Sequence, residues 1–349
     1  MPTSVSAVIE PERSAEIKRG WSLQAFLWRA GFVAAVVCGV WLLSSVLAAN
    51  ATNLSVLAAY GPNWWYFGLA AASFFANQAI AMVRWLLVAR AAGVGITVHD
   101  AITLGVAGEA GNLVMPGANG GDAVKLGLMV RAGLPAVRLT AVSVADRVAG
   151  LMGLLALGLV AGLCQWGTAA ARGITACVAV ALACCGIAVV VLLQPRAVAV
   201  LHQVARVWPT AGRLTVPLAE VSESFRRRPV WLLVAVLMSV VSQSFSLMAL
   251  YLSGMALLRD DPADMLTTFL VGPLVLVSTA LPLPFGALGV TEQMGQDLFA
   301  TLGFAGGGVA TLGYRLSHTL AVFVLVGWYG LARWLAPQRW TVGAEHGSP

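Results

Sequence analysis

Long apolar runs broken by short polar stretches dominate this chain, and their lengths set its class. Ala30 to Ala49 is 20 residues without a charge, and Trp64 to Val83 is a second such run, opened by Trp64, Trp65 and Tyr66. A helix that spans a bilayer needs about 20 mainly apolar residues, so both runs read as spans. The amphipathic rings at the head of the second suit a membrane interface. Further spans are predicted at Leu139 to Cys164, Gly173 to Leu193, Val230 to Leu252, Asp264 to Leu281 with an interruption at Gly272-Pro273, and Val309 to Leu335.

Two segments depart from this pattern. Ala101 to Gly121 is apolar apart from Glu109 and Asn112, and it runs into Met115-Pro116-Gly117-Ala118-Asn119-Gly120-Gly121-Asp122 with basic residues on both sides. A re-entrant or broken helix fits this better than a clean crossing, and such backbone is tolerated at membrane depth only where protein or a wet cavity surrounds it. The second segment, Pro282 to Glu292, carries Pro284, Gly286 and Gly289 and leads into a short run, Gln293 to Leu302. The fold expected is an all-α integral membrane protein, a bundle of about eight helices with two re-entrant or broken Pro/Gly elements.

The overall numbers agree. Of 349 residues 59% are hydrophobic and only 10% charged, against roughly a quarter charged in a soluble domain, so there is too little polar surface to wrap a soluble core. The net charge of +6 is spread over loops without the aromatic interleaving of a nucleic-acid patch, so no nucleic-acid partner is expected. Cys38, Cys164, Cys177, Cys184 and Cys185 lie in apolar stretches without C-x-x-C spacing or clustered histidines, which argues against a metal, a cofactor or a disulfide framework.

The chain divides into an N-terminal segment (1–29), a membrane domain (30–335) and a C-terminal tail (336–349). Acids and bases mix in the first segment, unlike a short secretory signal, so the first span is expected to be retained. Asn50 to Asn63 holds no Lys or Arg, whereas the flanks of the first two spans hold Lys18, Arg19, Arg29, Arg84 and Arg90. The positive-inside rule then puts both termini in the cytoplasm of a multi-pass protein of the cell inner membrane. The sequons Asn50-Ala-Thr52 and Asn53-Leu-Ser55 would lie in an external loop. Gln194 to Pro229, with six arginines, is the longest polar connection and is expected to face the cytoplasm along anionic lipid. Gly158 and Gly162 give a G-x-x-x-G, a helix-packing signal.

The two Pro/Gly segments echo one another. Gly121 follows Pro116 by five residues and Arg147 follows it by thirty-one; Pro284, Gly289 and Arg315 stand at the same offsets. Asp122 and Glu292 follow at offsets of six and eight. Paired interrupted helices point to an internal repeat around a transporter site, inverted or parallel. With four spans counted between the segments, the repeat would be parallel.

Ionisable residues embedded in spans are site candidates by default, because each costs about 2.5 to 3.5 kcal/mol to insert. Glu109, Asp146, Arg147, Glu292, Arg315 and His318 qualify. Arg315 and His318 share a helix face, and an arginine beside the N-terminus of a half-helix can hold a phosphate. The competing reading pairs these charges with each other as helix locks. Asp122 and Lys125, three apart and nearer an interface, fit a solvated ion pair as well as a ligand contact. H-E-x-x-H, G-x-S-x-G and P-loop motifs are all lacking, so an enzyme is not expected.

These residues resemble the flippase-like family of the lysylphosphatidylglycerol synthase transmembrane domain, the multiple peptide resistance factor. Asn112, Pro116-Gly117, Gly121-Asp122, Lys125 and Asp146-Arg147 match its first motif; Gly286 to Glu292 and Tyr314-Arg315 match its second. The likeness runs from about Arg84 to Trp334. An extra residue within Ala118-Asn119-Gly120 departs from the family pattern, as do Lys125 and Thr291, which stand where arginine is common. The resemblance implies movement of an anionic, aminoacylated or isoprenoid-linked lipid between leaflets. The aminoacyl-transferase domain is expected to be absent, the sequence ending at Pro349.

The leading expectation is therefore a lipid flippase or transporter, with Glu109, Asn112, Asp122, Lys125, Asp146, Arg147, Glu292, Tyr314, Arg315 and His318 around its substrate. The alternatives are an intramembrane enzyme acting on polyprenyl or sterol-like lipids, and an accessory subunit of a lipid-modifying, hopanoid or lipid-glycan pathway. The accessory subunit would dock a partner enzyme on Gln194 to Pro229. A homodimer fits either class.

Overall fold

The computed structural model describes residues 30, 32–114, 120–134, 136–207, 215, 219, 222–223, 225–226, 229–258, 262–281 and 283–335. The tails 1–29 and 336–349, residues 115–119 with the expected break at Pro116 and Gly117, and most of 208–228 lie outside them. The helices are α1 (Phe32–Ala49), α2 (Ala51–Tyr60), α3 (Trp64–Ala91), α4 (Val98–Val114), α5 (Gly120–Arg131), α6 (Ala136–Cys164), α7 (Ala169–Leu192), α8 (Pro195–Val207), α9 (Pro229–Leu257), α10 (Met265–Ser278), α11 (Val290–Thr301) and α12 (Gly307–Leu335). Six of them, α1, α3, α6, α7, α9 and α12, are long and apolar enough to cross a membrane. The protein is an all-α, multi-pass membrane protein.

Local chemistry sets the helix starts. Asn63 caps α3 by accepting from the Trp65 amide at 3.2 Å, Thr168 caps α7 through Ala171 at 3.1 Å, and Asp264 caps α10 through Thr267 at 2.6 Å. Thr97 and Asp100 form a reciprocal box at the start of α4, each side chain accepting from the other's amide.

Three sequence expectations change. The second span does not stop at Val83: α3 continues through Arg84 to Ala91, because the five apolar residues after Arg84 supply another turn and Arg84 finds partners inside. Asn50 to Asn63 is not an open loop but mostly the helix α2. Within the first sequon Asn50 is buried, and its amide donates to the Gln296 side chain at 2.9 Å. Finally, Asp264 to Leu281 is not an interrupted span. α10 runs straight through Gly272-Pro273, breaks after Ser278, and α11 folds back against it. The Pro273 ring fits against Gly158, where a Cβ would come within 2.8 Å of it. Gly162 opposes Thr175 of α7, so the G-x-x-x-G does form a packing surface.

The result is two helical hairpins, α4–α5 and α10–α11, each preceded by a long helix and followed by another. The units α3–α6 and α9–α12 begin their four helices at 64, 98, 120, 136 and at 229, 265, 290, 307, a near-constant displacement that gives the repeat physical form. α3 and α9 pack along their lengths. Asn77 and Ser242, each the fourteenth residue of its helix, touch through a hydrogen bond from Ser242 Oγ to Asn77 Oδ1 at 2.6 Å. Equivalent residues meet in this way only near a local twofold axis. Three long apolar helices, α6, α7 and α9, lie between the hairpins, one fewer than the sequence count.

α8 lies outside this bundle and touches little beyond α7. Val200, Val204 and Val207 are exposed on it; with Ala197 and Val198 they make an apolar half, while Arg196, His202, Gln203 and Arg206 share the other. That division suits a helix lying in an interface plane.

Candidate functional site

The tip of the second hairpin is built by backbone strain. Phe285, Gly286 and Ala287 have φ of 53, 62 and 57°, and Gly289 has φ of 85°, the left-handed region that costs an ordinary residue roughly 1–2 kcal/mol. The turn is held by Arg315 of α12. Its guanidinium donates to the carbonyls of Phe285 at 2.9 Å and Gly286 at 3.0 Å, and through Nε to Glu292 at 2.7 Å. The other Glu292 oxygen accepts the Gly289 amide at 2.6 Å, capping α11. Glu292 is fully buried. A helix N-terminus already capped by its own carboxylate, facing an arginine turned to backbone carbonyls, is a lock on the turn. Gly289 is required twice over: besides its φ, a Cβ there would come within 2.0 Å of the Gly39 carbonyl on α1.

The first hairpin repeats the motif in a more open form. Asn112 near the end of α4 accepts the Gly121 amide at 2.7 Å, and Gly121 abuts the Gly108 carbonyl so closely that a Cβ would lie 2.5 Å from it. Asp122, in the first turn of α5, accepts from Arg147 Nε at 2.6 Å. The sequence offsets of Asp122 and Glu292 differ by two, yet both reach the arginine of the following helix. Burial separates them: the side chains of Arg147 and Asp122 are 43% and 31% exposed, those of Arg315 and Glu292 22% and 0%.

Between the hairpins lie two cavities of about 550 and 420 Å³ that share Glu109, Asn112, Arg147 and Ala280 in their walls. Arg315, Glu292, Tyr314 and His318 line the larger; Asp122, Lys125, Asp146 and Arg84 line the smaller. All ten residues expected around a substrate thus border one cavity or both, although they do different work. Asp146 does not join Arg147. It takes a bidentate pair from Arg84 of α3 at 2.8 and 2.9 Å, while Arg84 also donates to Ser239 of α9 at 2.9 Å. Arg84 is 6% exposed, so this triad ties three helices together. Lys125 is not paired with Asp122; its ammonium sits 5.8 Å from the centre of the Trp85 ring, within cation–π range.

Glu109 is held otherwise. It accepts a short hydrogen bond from Gln78 of α3, and its second oxygen lies 3.7 Å from His318 Nε2. His318 packs its ring on Phe74, 4.3 Å between centroids, and lies parallel to Tyr314, whose hydroxyl meets Ser246 at 3.0 Å. Arg84 and Gln78 are the residues sequence reasoning missed. The apolar run resuming after Arg84 is the signal that places it inside a helix, whereas a neutral amide such as Gln78 leaves no trace in a search for charges. Among the described residues, no group of three His, Cys, Asp or Glu is placed to hold a metal.

Comparison with curated proteins and with solved structures finds no match. A family model described as the lysylphosphatidylglycerol synthase TM region matches residues 22–327, nearly the whole membrane bundle with both hairpins, and the chain belongs to that family of lipid-associated membrane domains.

Proposed function

We propose that this protein moves a phosphate-bearing lipid between leaflets of the cell inner membrane, the headgroup passing through the cavities between the hairpins while the acyl chains stay in the bilayer. One observation carries the reading: Arg147, paired with Asp122 yet with 43% of its side chain exposed, stands in the wall common to both cavities and Lys125 lines the smaller one, whereas Arg84 and Arg315 are more deeply enclosed among their protein acceptors. Arg147 is then the arginine that meets the phosphate, with Lys125 as a second point charge, and Arg315 shapes the wall. An arginine fork recognises phosphate through paired N–H donors. In a partly desolvated cavity that contact is stronger than in water.

The fold supports movement as well as binding. With an odd number of crossings between them, the hairpins enter from opposite faces, and the two units form an inverted repeat. Inverted units around a midplane site are the common architecture of alternating access. Both termini then face the cytoplasm, as the positive-inside rule expects, and α8 lies on that surface with its arginines toward anionic lipid. No bond-making step enters this reading, so the protein acts as a carrier and not an enzyme. Native mass spectrometry of the gently extracted protein tests it. The wild type retains phospholipid, and Arg147→Gln combined with Lys125→Gln loses most of it; equal retention by both would refute the assignment.

A further inference from the structure

We propose that the contact between His318 and Glu109 is a proton site that couples lipid movement to protons; this rests on the transport reading above. Four carboxylates border the cavities, and three are each held by an arginine: Asp122 by Arg147, Asp146 by Arg84 and Glu292 by Arg315. Arginine keeps its charge at any physiological pH, so in each of those three pairs the cation is fixed. Glu109 differs among the described residues in having no arginine partner. Its charge feels the Lys125 ammonium and directly faces a neutral amide, Gln78, and the imidazole of His318, a side-chain type able to exchange protons near neutral pH.

The placement matters as much as the chemistry. Glu109 is on the hairpin of the first unit and His318 is on the last helix of the second, so their contact bridges the two halves across the larger cavity. At 3.7 Å it lies within ion-pair range but beyond a hydrogen bond. A proton taken up at Nε2 turns it into an attraction between opposite charges and draws α12 to α4. Loss of the proton leaves a carboxylate beside a neutral ring and releases the bridge. The repeat makes this feature one-sided: Arg147 and Arg315 are equivalents, but three residues after Arg147 stands Gly150, where the second unit has His318. With a proton gradient across the membrane, a site present in one half only would couple that gradient to the direction of lipid movement.

Other groups around the histidine fit this role. On α12 itself are Tyr314, stacked on the ring, and Arg315, directed to Glu292. From α3 come Phe74 and Gln78, from α9 Ser246 through the Tyr314 hydroxyl, and from α11 Glu292 through Arg315. Arg147 of α6, in the shared wall, and Lys125 of α5, in the wall of the smaller cavity, are the fixed cations nearby. A phosphate arriving there would offset their positive charge and favour a proton on His318, so loading and protonation would reinforce one another.

Two measurements on the full-length protein test the inference. In vesicles of phosphatidylethanolamine and phosphatidylglycerol carrying a fluorescent phosphatidylglycerol, an imposed gradient of about one pH unit, worth at most about tenfold, changes the wild-type lipid rate at least threefold. In His318→Gln the ratio of rates with and without the gradient falls to one. Separately, ring-nitrogen NMR in nanodiscs follows His318, assigned by its loss in His318→Gln; at pH 6 the doubly protonated share falls at least threefold in Glu109→Gln, while the other histidines keep theirs. Equal wild-type rates with and without the gradient, or an unaltered ratio in His318→Gln, overturn the coupling alone. An unchanged His318 signal in Glu109→Gln overturns the site. No lipid movement by the wild type under any condition overturns the transport reading itself, and the coupling with it.

Discussion

Neutralising one acid in each hairpin should separate the two halves of the repeat by their energetics. Glu292→Gln keeps the shape of the side chain and an acceptor for the Gly289 amide, but removes the charge that faces Arg315. Taking one partner from a buried ion pair costs about 3–5 kcal/mol, since the other is left uncompensated. Here the lower end applies, about 3 kcal/mol, because Arg315 keeps 22% of its side chain exposed and two carbonyl acceptors. Asp122→Asn removes the equivalent charge from a pair exposed at 43% and 31%, where solvent screening limits the loss to below about 1 kcal/mol. Denaturant unfolding in mixed micelles, followed by fluorescence of the 12 tryptophans, reads the difference. The expected gap is about 2 kcal/mol, roughly a thirtyfold change in the unfolding equilibrium. Losses equal within about 0.5 kcal/mol, or a larger loss in Asp122→Asn, would refute the division into a lock and an open site.

Gly289→Ala should cost more than about 2 kcal/mol, from left-handed strain and a Cβ placed 2.0 Å from the Gly39 carbonyl; thermal unfolding in the same micelles checks it, and an unshifted midpoint would contradict the α1 contact. Asp146→Ala should destabilise by about 3–5 kcal/mol by stranding buried Arg84, whereas Arg84→Met with Asp146→Leu should recover most of the loss. A double variant as unstable as the single one would show that the pair serves more than packing. Exchanging Arg196 and Arg206 for glutamine should weaken the hold of α8 on anionic lipid by about 1 kcal/mol per charge, read as slower protease cleavage near α8 in phosphatidylglycerol nanodiscs for the wild type only.

The class of the molecule and its two breaks were legible because both are written in composition. Twenty apolar residues leave little choice but a span, and Pro116 to Asp122 and Pro284 to Glu292 interrupt that pattern with residues a helix rejects. Where the breaks lie was harder to read. Gly272-Pro273 looks as disruptive as Pro284, yet α10 runs through it, since a neighbouring glycine, Gly158, makes room for the ring. The lower number of long apolar helices between the hairpins, three in place of four, follows from this. Charges were found but not their partners: the echo of Arg147 and Arg315 was visible, whereas the acceptors that distinguish them, Asp122 in one case and Glu292 with two carbonyls in the other, are set by tertiary approach. Arg84 reads as a flank in the sequence because the uncharged run ends at Val83, and its partner Asp146 lies 62 residues away.

The measurement closest to the central claim is lipid movement by the purified protein. Vesicles carrying a fluorescent phosphatidylglycerol in both leaflets are treated with a reductant that cannot cross the bilayer. Without protein, only the outer-leaflet label is lost. With the wild type the inner-leaflet label should follow, and with Arg147→Gln it should follow at least about tenfold more slowly, the loss of one charge-assisted phosphate contact. Inner label protected equally in protein-containing and protein-free vesicles, or an Arg147→Gln variant as fast as the wild type, would contradict the account.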